Sequence, residues 1–463
     1  MAPRGPGKAK TQTARGARAP SKSHTESAAL RDFSDLKQPL GLIVAGGGPA
    51  GMMTGLLFAR AGCQVVVLEK HADFFRDFRG DTVHPSTMEI LAELGMLDRF
   101  LKRPHNRVQT AQLQLAGRDW TIGDLSYLDT PAPFIAMMPQ WEFLDFLREE
   151  SKAFPGFRLE MNTEAAGFIE EKGRIAGVRL KDGRELRAKL TIAADGRASI
   201  VRTMLPLEDL GAPIDVFWFR VGKSGKEAGA LRGNVAPGRI LVMIDRGDYW
   251  QCAFVIPKGA AKAYEARGIG AIREEVAAAA PAELDLAELD DISDLHLLTV
   301  KLDRLTRWHR PGLLAIGDAA HAMSPIGGIG INLAVQDAVA AANALAGPLA
   351  EGRDVDPLLS QVQERRMFPT RVIQGAQKFA QERVIGRVLQ SSAPILRAPL
   401  IVRMLDRYPI LRRIPGRIIG LGVRRERVRS PAAPISPSQP RGSSRSPLRI
   451  ARSSSRPALS RRG

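Results

Sequence analysis

The segment Gly46-Gly47-Gly48-Pro49-Ala50-Gly51 has the spacing G-x-G-x-x-G and follows the apolar run Leu42-Ile43-Val44-Ala45. Its chemistry is the holding of a diphosphate. Gly46 permits a tight turn, Gly48 lets the backbone approach a pyrophosphate, and Gly51 lets the next helix pack closely on the strand. Pro49 and Ala50 open that helix, whose first amides and dipole face the anion. A second apolar run, Gln64 to Leu68, ends at Glu69, 18 residues beyond Gly51. A carboxylate there accepts hydrogen bonds from ribose hydroxyls and disfavours a 2′-phosphate, so FAD and NAD are both allowed and NADP is disfavoured in this pocket. Lys70 is grouped with Glu69 on the cofactor side.

A second constellation lies 272 residues on, counting from Gly46 to Asp318. Gly317-Asp318-Ala319-Ala320-His321 follows the strand-like run Leu313 to Ile316. Pro325, Gly327, Gly328, Gly330, Ile331 and Asn332 come next, then a helical stretch containing Asp337. A third segment runs Ala194-Asp195-Gly196-Arg197-Ala198-Ser199-Ile200-Val201-Arg202, and Arg79-Gly80 and Gln140 precede two helical stretches. Each alone is commonplace. Together, in this order, they resemble the FAD-dependent aromatic hydroxylases, the para-hydroxybenzoate hydroxylase-like group A flavoprotein monooxygenases, over about residues 38–425.

The resemblance implies a set of roles. Asp318 bonds the ribityl chain, and the amides of Gly330, Ile331 and Asn332 approach the flavin ring, with Pro325 and Gly328 in the same loop. Asp195 and Gly196 lie near both FAD and the nicotinamide, while Arg79 and Gln140 contact the cofactor. FAD is held without covalent attachment, since no Cys or His stands in an attachment context. NADH or NADPH reduces it, O2 forms a flavin C4a-hydroperoxide, and an aromatic or related small substrate takes one oxygen atom. No protein nucleophile is required; the chemistry is the flavin's, with the Pro325–Asn332 loop beside its ring. The chain departs from the family where Ile329 stands between the last two glycines, a place many members give to Gln or a Lys equivalent. The alternatives on the same fold are a flavin-dependent reductase and a halogenase. The halogenase W-x-W-x-I-P signature is absent; the nearest segment is Tyr249 to Pro257.

Other chemistry-bearing residues have plainer readings. His321 is read as a structural part of its loop and His84 as a pocket residue. Alternation divides Phe217, Trp218, Phe219, Tyr249, Trp250 and Phe254 between a substrate floor and ordinary core. Cys63 reads as packing, and the sequence offers no metal-ligand cluster.

Positioning these residues requires a βαβ unit at the start of the body. The fold expected is α/β: a Rossmann-like FAD-binding domain (38–205 and 300–350) with an inserted antiparallel β-sheet substrate domain (206–299, joined by strands from 111–122). C-terminal helices follow at 351–425. Helices are expected at 86–102 and 140–154, and three strand-like runs within 156–193, set apart by turns at Glu171–Arg174 and Lys181–Arg184.

Both ends read differently. Residues 1–37 form a basic arm and 426–463 a basic Ser/Pro/Arg tail, both too poor in apolar surface to order. Of the net charge of +18, Lys and Arg in 1–25 supply six and Arg in 427–463 nine, leaving the rest near neutral. The basicity therefore belongs to the tails and is weak evidence for a nucleic-acid-binding fold. Two cysteines exclude a disulfide framework, and the absence of an apolar leader fits a cytoplasmic setting. The uncharged stretch Gln38–Ala59 is interrupted by the glycine turn and reads as phosphate-binding rather than membrane-spanning. Ile395–Val423 alternates apolar runs with Arg. We read it as closure of the catalytic body, with peripheral membrane contact as the alternative.

Overall fold

The computed structural model describes residues 40–75, 82–223, 231–281, 284–391, 393 and 397–434. The expected arm 1–37 and residues 435–463 of the expected tail lie outside the described residues.

Leu40–Ala45 and Val65–Leu68 are almost wholly apolar because both faces of their sheet are covered, as a parallel sheet demands. They pair in parallel, flanked by Phe157–Glu160 on one side and by Glu185–Ala193 then Leu313–Ala315 on the other. His309–Arg310 closes that edge antiparallel. The helix Pro49–Arg60 crosses one face, and the long helix Gly330–Ala350 packs against it. This helix and the short turn before it, Ile326–Ala350, form the one stretch among the described residues long and apolar enough to cross a membrane. Most of it is buried in this core.

The inserted domain is a seven-stranded sheet in the order His296–Leu298, Ile214–Gly222, Tyr249–Pro257, Arg239–Asp245, Leu231–Ala236, Thr110–Leu115, Arg118–Asp124. The expected strands near 111–122 therefore join it, through a parallel pairing with Leu231–Ala236. Phe217, Phe219, Trp250 and Phe254 fill the face covered by the helices Ala261–Glu265 and Gly268–Ala277. Trp218 points to the other face, packing near Val242 and Ile244.

Four expectations change. The helix expected at 86–102 is two, Pro85–Glu93 and Leu97–Phe100, because Gly95 takes the left-handed backbone (φ 68°) and ends the first. The three runs expected in 156–193 are four strands. Phe157–Glu160 joins the parallel sheet, and Ala165–Glu171 and Arg174–Leu180 form an antiparallel ribbon with Glu185–Ala193. The insert begins later than 206, since Leu207–Asp209 pairs with Asp303–Leu305, which pairs with His321–Ala322 on the cofactor side.

The tail does not begin at 426 either. Glu426 and Ser430 are buried, and Ala433 donates its N–H to the Arg60 carbonyl at 2.8 Å. Asn343 Oδ1 accepts from the N–H groups of Arg429 and Ser430 at 2.7 and 2.8 Å. Backbone groups carry part of this docking and ion pairs the rest, Glu426 with Arg365 and Arg366 and Arg427 with Glu89 and Glu93, so a polar composition concealed it.

The C-terminal helices Leu400–Arg407 and Pro409–Leu421 pack beside the edge strand Arg118–Asp124. Gly416 meets the Asp124 backbone so closely that a β-carbon there would collide with its carbonyl oxygen.

Candidate cofactor and substrate site

Backbone sterics build the first glycine turn. Gly46 has φ 106°, and a β-carbon on it would run into the Ala194 carbonyl. A β-carbon on Gly51 would collide with the Gly46 carbonyl oxygen, so helix and strand meet only through glycine. Gly48 is different. It caps the helix in extended conformation with Pro49 as its first residue, and nothing lies within 4 Å of where its β-carbon would be. Here a glycine is required by no protein neighbour, which is what a ligand-facing position looks like. The helix leaves its first amides without intrahelical acceptors at this point.

Glu69 stands at the rim of the turn. Its Oε2 accepts from the Gly47 N–H at 3.1 Å, and its Oε1 lies 2.5 Å from His71 Nδ1. Lys70 is exposed and lies close enough to Asp195 to favour its charged form. Gln140 begins the helix Gln140–Ser151, which packs on Pro49–Arg60. Arg79 lies outside the described residues.

The second motif meets the first directly. Gly317 (φ 57°) sits between Ala50 and Ala334, where a β-carbon would be 3.1 and 3.3 Å from their β-carbons. The heads of both helices thus face one junction. The third motif borders it, since Gly46 abuts Asp195. Arg197 Nε donates to Asp318 Oδ2 at 3.0 Å, and Arg202 donates to the Asp318 carbonyl at 2.9 Å. Asp318 remains one-third exposed. Asp195 Oδ1 is buried without a hydrogen-bond partner, and burial pushes the Asp195 carboxyl above its ordinary range. A buried orphan acceptor, a partly open carboxylate and the unobstructed Gly48 suit a polar ligand with hydroxyl and diphosphate groups. The residues present fit FAD.

The second turn is held by side chains. Gly327 and Gly328 both have positive φ, and Thr82 Oγ1 donates to the Gly328 carbonyl at 2.7 Å. Asn332 Oδ1 accepts from the His84 N–H and from Thr87 Oγ1, each at 2.8 Å, and its Nδ2 donates to the Thr82 carbonyl. The Asn332 side chain is therefore committed to the protein. Ile331 is buried, and Gly330 is open on its β-carbon side. Pro325 begins the short turn Ile326–Gly328. Ile329 packs on Met323, Leu333 and Ile373, so an apolar anchor stands where the resemblance has a polar residue.

His84 is fully buried, with Nδ1 2.7 Å from the Ile419 carbonyl; burial lowers its pKa to about 4, so the ring is neutral. His321 Nε2 lies 2.6 Å from Asp337 Oδ2, which also accepts from the Gly317 N–H. Asp337 Oδ1 accepts from Arg366 Nε at 2.8 Å. Burial alone would raise the Asp337 carboxyl; His321 and Arg366 outweigh it and hold it below the usual range. His321 thus braces the loop from within.

Sequence reasoning missed two supports. Arg202 makes a bidentate pair with buried Asp303 at 2.7 and 2.9 Å. Gln374, Gln377 and Gln381, all buried, hold the strand and loop through Ala322, Ser324 and Ile326. Their spacing of three and four residues on one helix was the available signal. Among the described residues no group of His, Cys, Asp or Glu could hold a metal ion.

The sequence profile of a family described as "FAD binding domain" matches residues 41–376. The chain is 32% identical over 381 residues to 6-methylpretetramide 4-monooxygenase of Streptomyces rimosus, covering 80% of this chain and 91% of that one. It is 27% identical to rifampicin monooxygenase of Streptomyces venezuelae, over 64% of this chain and 62% of that enzyme. The crystal structure of p-nitrophenol 4-monooxygenase from Pseudomonas putida superposes with a TM-score of 0.67 at 21% identity, covering 84% of this chain and 99% of that one. The chain belongs to the para-hydroxybenzoate hydroxylase-like group A flavoprotein monooxygenases and is an FAD-dependent oxidoreductase.

Proposed function

We propose that the protein inserts one oxygen atom of O2 into an electron-rich aromatic substrate, with NADH or NADPH as reductant. The observation that supports this reading is the placement of two unobstructed glycines, Gly48 and Gly330, at the heads of two helices that meet at Gly317. FAD, when bound, supplies hydride acceptance and O2 activation. The protein's part is binding and exclusion of water. The amides after Gly48 hold the diphosphate, Glu69 the ribose and Asp318 the ribityl chain. The amides from Gly330 place positive dipole against negative charge on the reduced ring.

The likeness to 6-methylpretetramide 4-monooxygenase favours a substrate related to 6-methylpretetramide. The Trp218 face of the inserted sheet offers an apolar wall for it. We place the reaction in the cytoplasm, where the buried free thiols Cys63 and Cys252 stay reduced.

The test is NADH and NADPH oxidation with a panel of phenols and fused-ring aromatics, followed by product mass. A gain of one oxygen atom, labelled when 18O2 is supplied, is expected. A product that gains hydrogen or halogen instead, or reductant consumption that no aromatic stimulates, would overturn the reading.

A further inference from the structure

The helices Leu400–Arg407 and Pro409–Leu421 present different chemistry on their two sides. The inner side is fixed to the body. Gly416 and Gly420 lie against Asp124 and Leu128, Leu421 is buried, and Arg118 donates to Asp406 at 2.7 Å. The outer side carries Leu400, Ile401 and Met404 on the first helix and Ile410, Ile414 and Ile418 on the second, all exposed. Leu400, Ile410 and Ile414 expose 68%, 67% and 61% of their surface. Soluble surfaces carry such residues singly, and a cluster marks an interaction site.

Cations are interleaved with them. Arg403, Arg407, Arg413 and Arg417 are exposed on the same two helices, Arg413 resting over the Tyr127 ring at 4.8 Å. In the second helix Ile410, Arg413, Ile414, Arg417 and Ile418 fall at steps of three and four residues, which is one stripe. Asp406 is the sole acid between 397 and 421, and it faces inward. The outer face is therefore apolar, positive and free of carboxylate.

We propose that this face docks the enzyme on an anionic lipid bilayer. Isoleucine and leucine enter the boundary between headgroups and acyl chains, and the Arg side chains reach the lipid phosphates. The charge pattern selects this occupant. A second copy related by a two-fold axis would set arginine stripes against each other with no acid to receive them. A nucleic acid would leave the isoleucines in water. The sequence beyond 434 adds seven Arg and no acid, which reinforces attraction of the same sign. The prolines at 399, 409 and 415, which forbid one long amphipathic helix, yield two short ones lying side by side on the body.

The experiment is flotation of the full-length, flavin-loaded protein with vesicles of phosphatidylcholine alone or with about 30% phosphatidylglycerol. Binding to the anionic vesicles, weakened by salt, is expected. The triple variant Ile410→Ser, Ile414→Ser, Ile418→Ser should bind at least about tenfold more weakly while keeping its flavin and melting temperature. Replacing Arg403, Arg407, Arg413 and Arg417 by Gln should remove the preference for anionic lipid, on the order of fivefold per residue. This second set decides the matter if the serine variant loses its fold. A chain ending at Pro434 should still bind.

Three results would overturn the proposal: no partition into anionic vesicles, whether or not the face binds nucleic acid; partition lost on truncation at 434 but untouched by both sets of substitutions; or a dimer dispersed by the serine variant without any vesicle binding.

Discussion

The two glycine turns meet at one junction but are made in different ways. In the first, backbone meets backbone: Gly51 against Gly46, and Gly46 against Ala194. In the second, side chains from distant segments hold the loop: Thr82 and His84 through Asn332, and Gln377 through Ser324 and Ile326. A turn fixed by backbone collision tolerates no substitution. One fixed by hydrogen bonds can be loosened by degrees. The comparison teaches that the first turn, proposed for the diphosphate, is rigid, whereas the second, proposed for the ring, is where position can be tuned.

The largest effect expected is from Gly51→Ala. Its β-carbon has no room, so folding should be lost or weakened by more than about 4 kcal/mol. A thermal melt near that of the parent would show that the first turn is as adjustable as the second. Next comes His321→Ala, which removes the ring beside Asp337 Oδ2 and leaves Arg366 as the remaining side-chain partner of a fully buried carboxylate. The expected loss is about 3–5 kcal/mol of stability by urea unfolding. Asp318→Ala should do the reverse: little change in the melt, and FAD affinity lower by about 10- to 150-fold. Flavin titration decides this, and equal affinity losses in the two variants would contradict the division of roles.

Acid should also attack the second turn through His84. Burial lowers its pKa from 6.5 to about 4, so within that window the unfolded chain binds a proton that the folded one does not. Stability is full above the upper value and falls as the pH drops through the window, by about 1.4 kcal/mol per unit. Urea midpoints above and within the window should show a smaller drop for His84→Gln than for the parent; equal drops would remove His84 as the cause. The smallest effect on folding is expected from Gly48→Ala and Gly330→Ala. Both open onto free space, so the flavin-free proteins should melt within about 1 kcal/mol of the parent. Both should nonetheless bind FAD more weakly, and unchanged affinity would show that these positions do not face the ligand.

The first turn was legible because its rule is local. A strand, a glycine spacing and a helix opened by Pro49 lie within a short stretch, and Glu69 closes the next strand. The second was legible as a motif but not as a mechanism. Nothing near Asn332 in sequence announces Thr82 or His84, roughly 250 residues earlier. Gln374, Gln377 and Gln381 were passed over because amides are mostly exposed, yet here Gln374 and Gln377 satisfy buried backbone carbonyls and Gln381 the Ser324 hydroxyl. The docking of 426–434 was hidden for a related reason: it uses main-chain groups and ion pairs to residues far away in sequence, such as Glu93 and Arg366, which composition does not register. The fold class, by contrast, followed from the alternation of apolar runs with helical periodicity, and the inserted sheet from the strand-like runs beyond residue 206.

The central claim is that both turns, bridged by Asp195, Arg197 and Asp318, form one non-covalent FAD site. The most direct test is to denature the purified protein, separate the small-molecule fraction and measure its mass and amount. The account predicts a yellow protein that releases stoichiometric FAD and takes it up again after removal. A colourless protein that cannot be reconstituted, or a flavin that stays attached to the denatured chain, would contradict it.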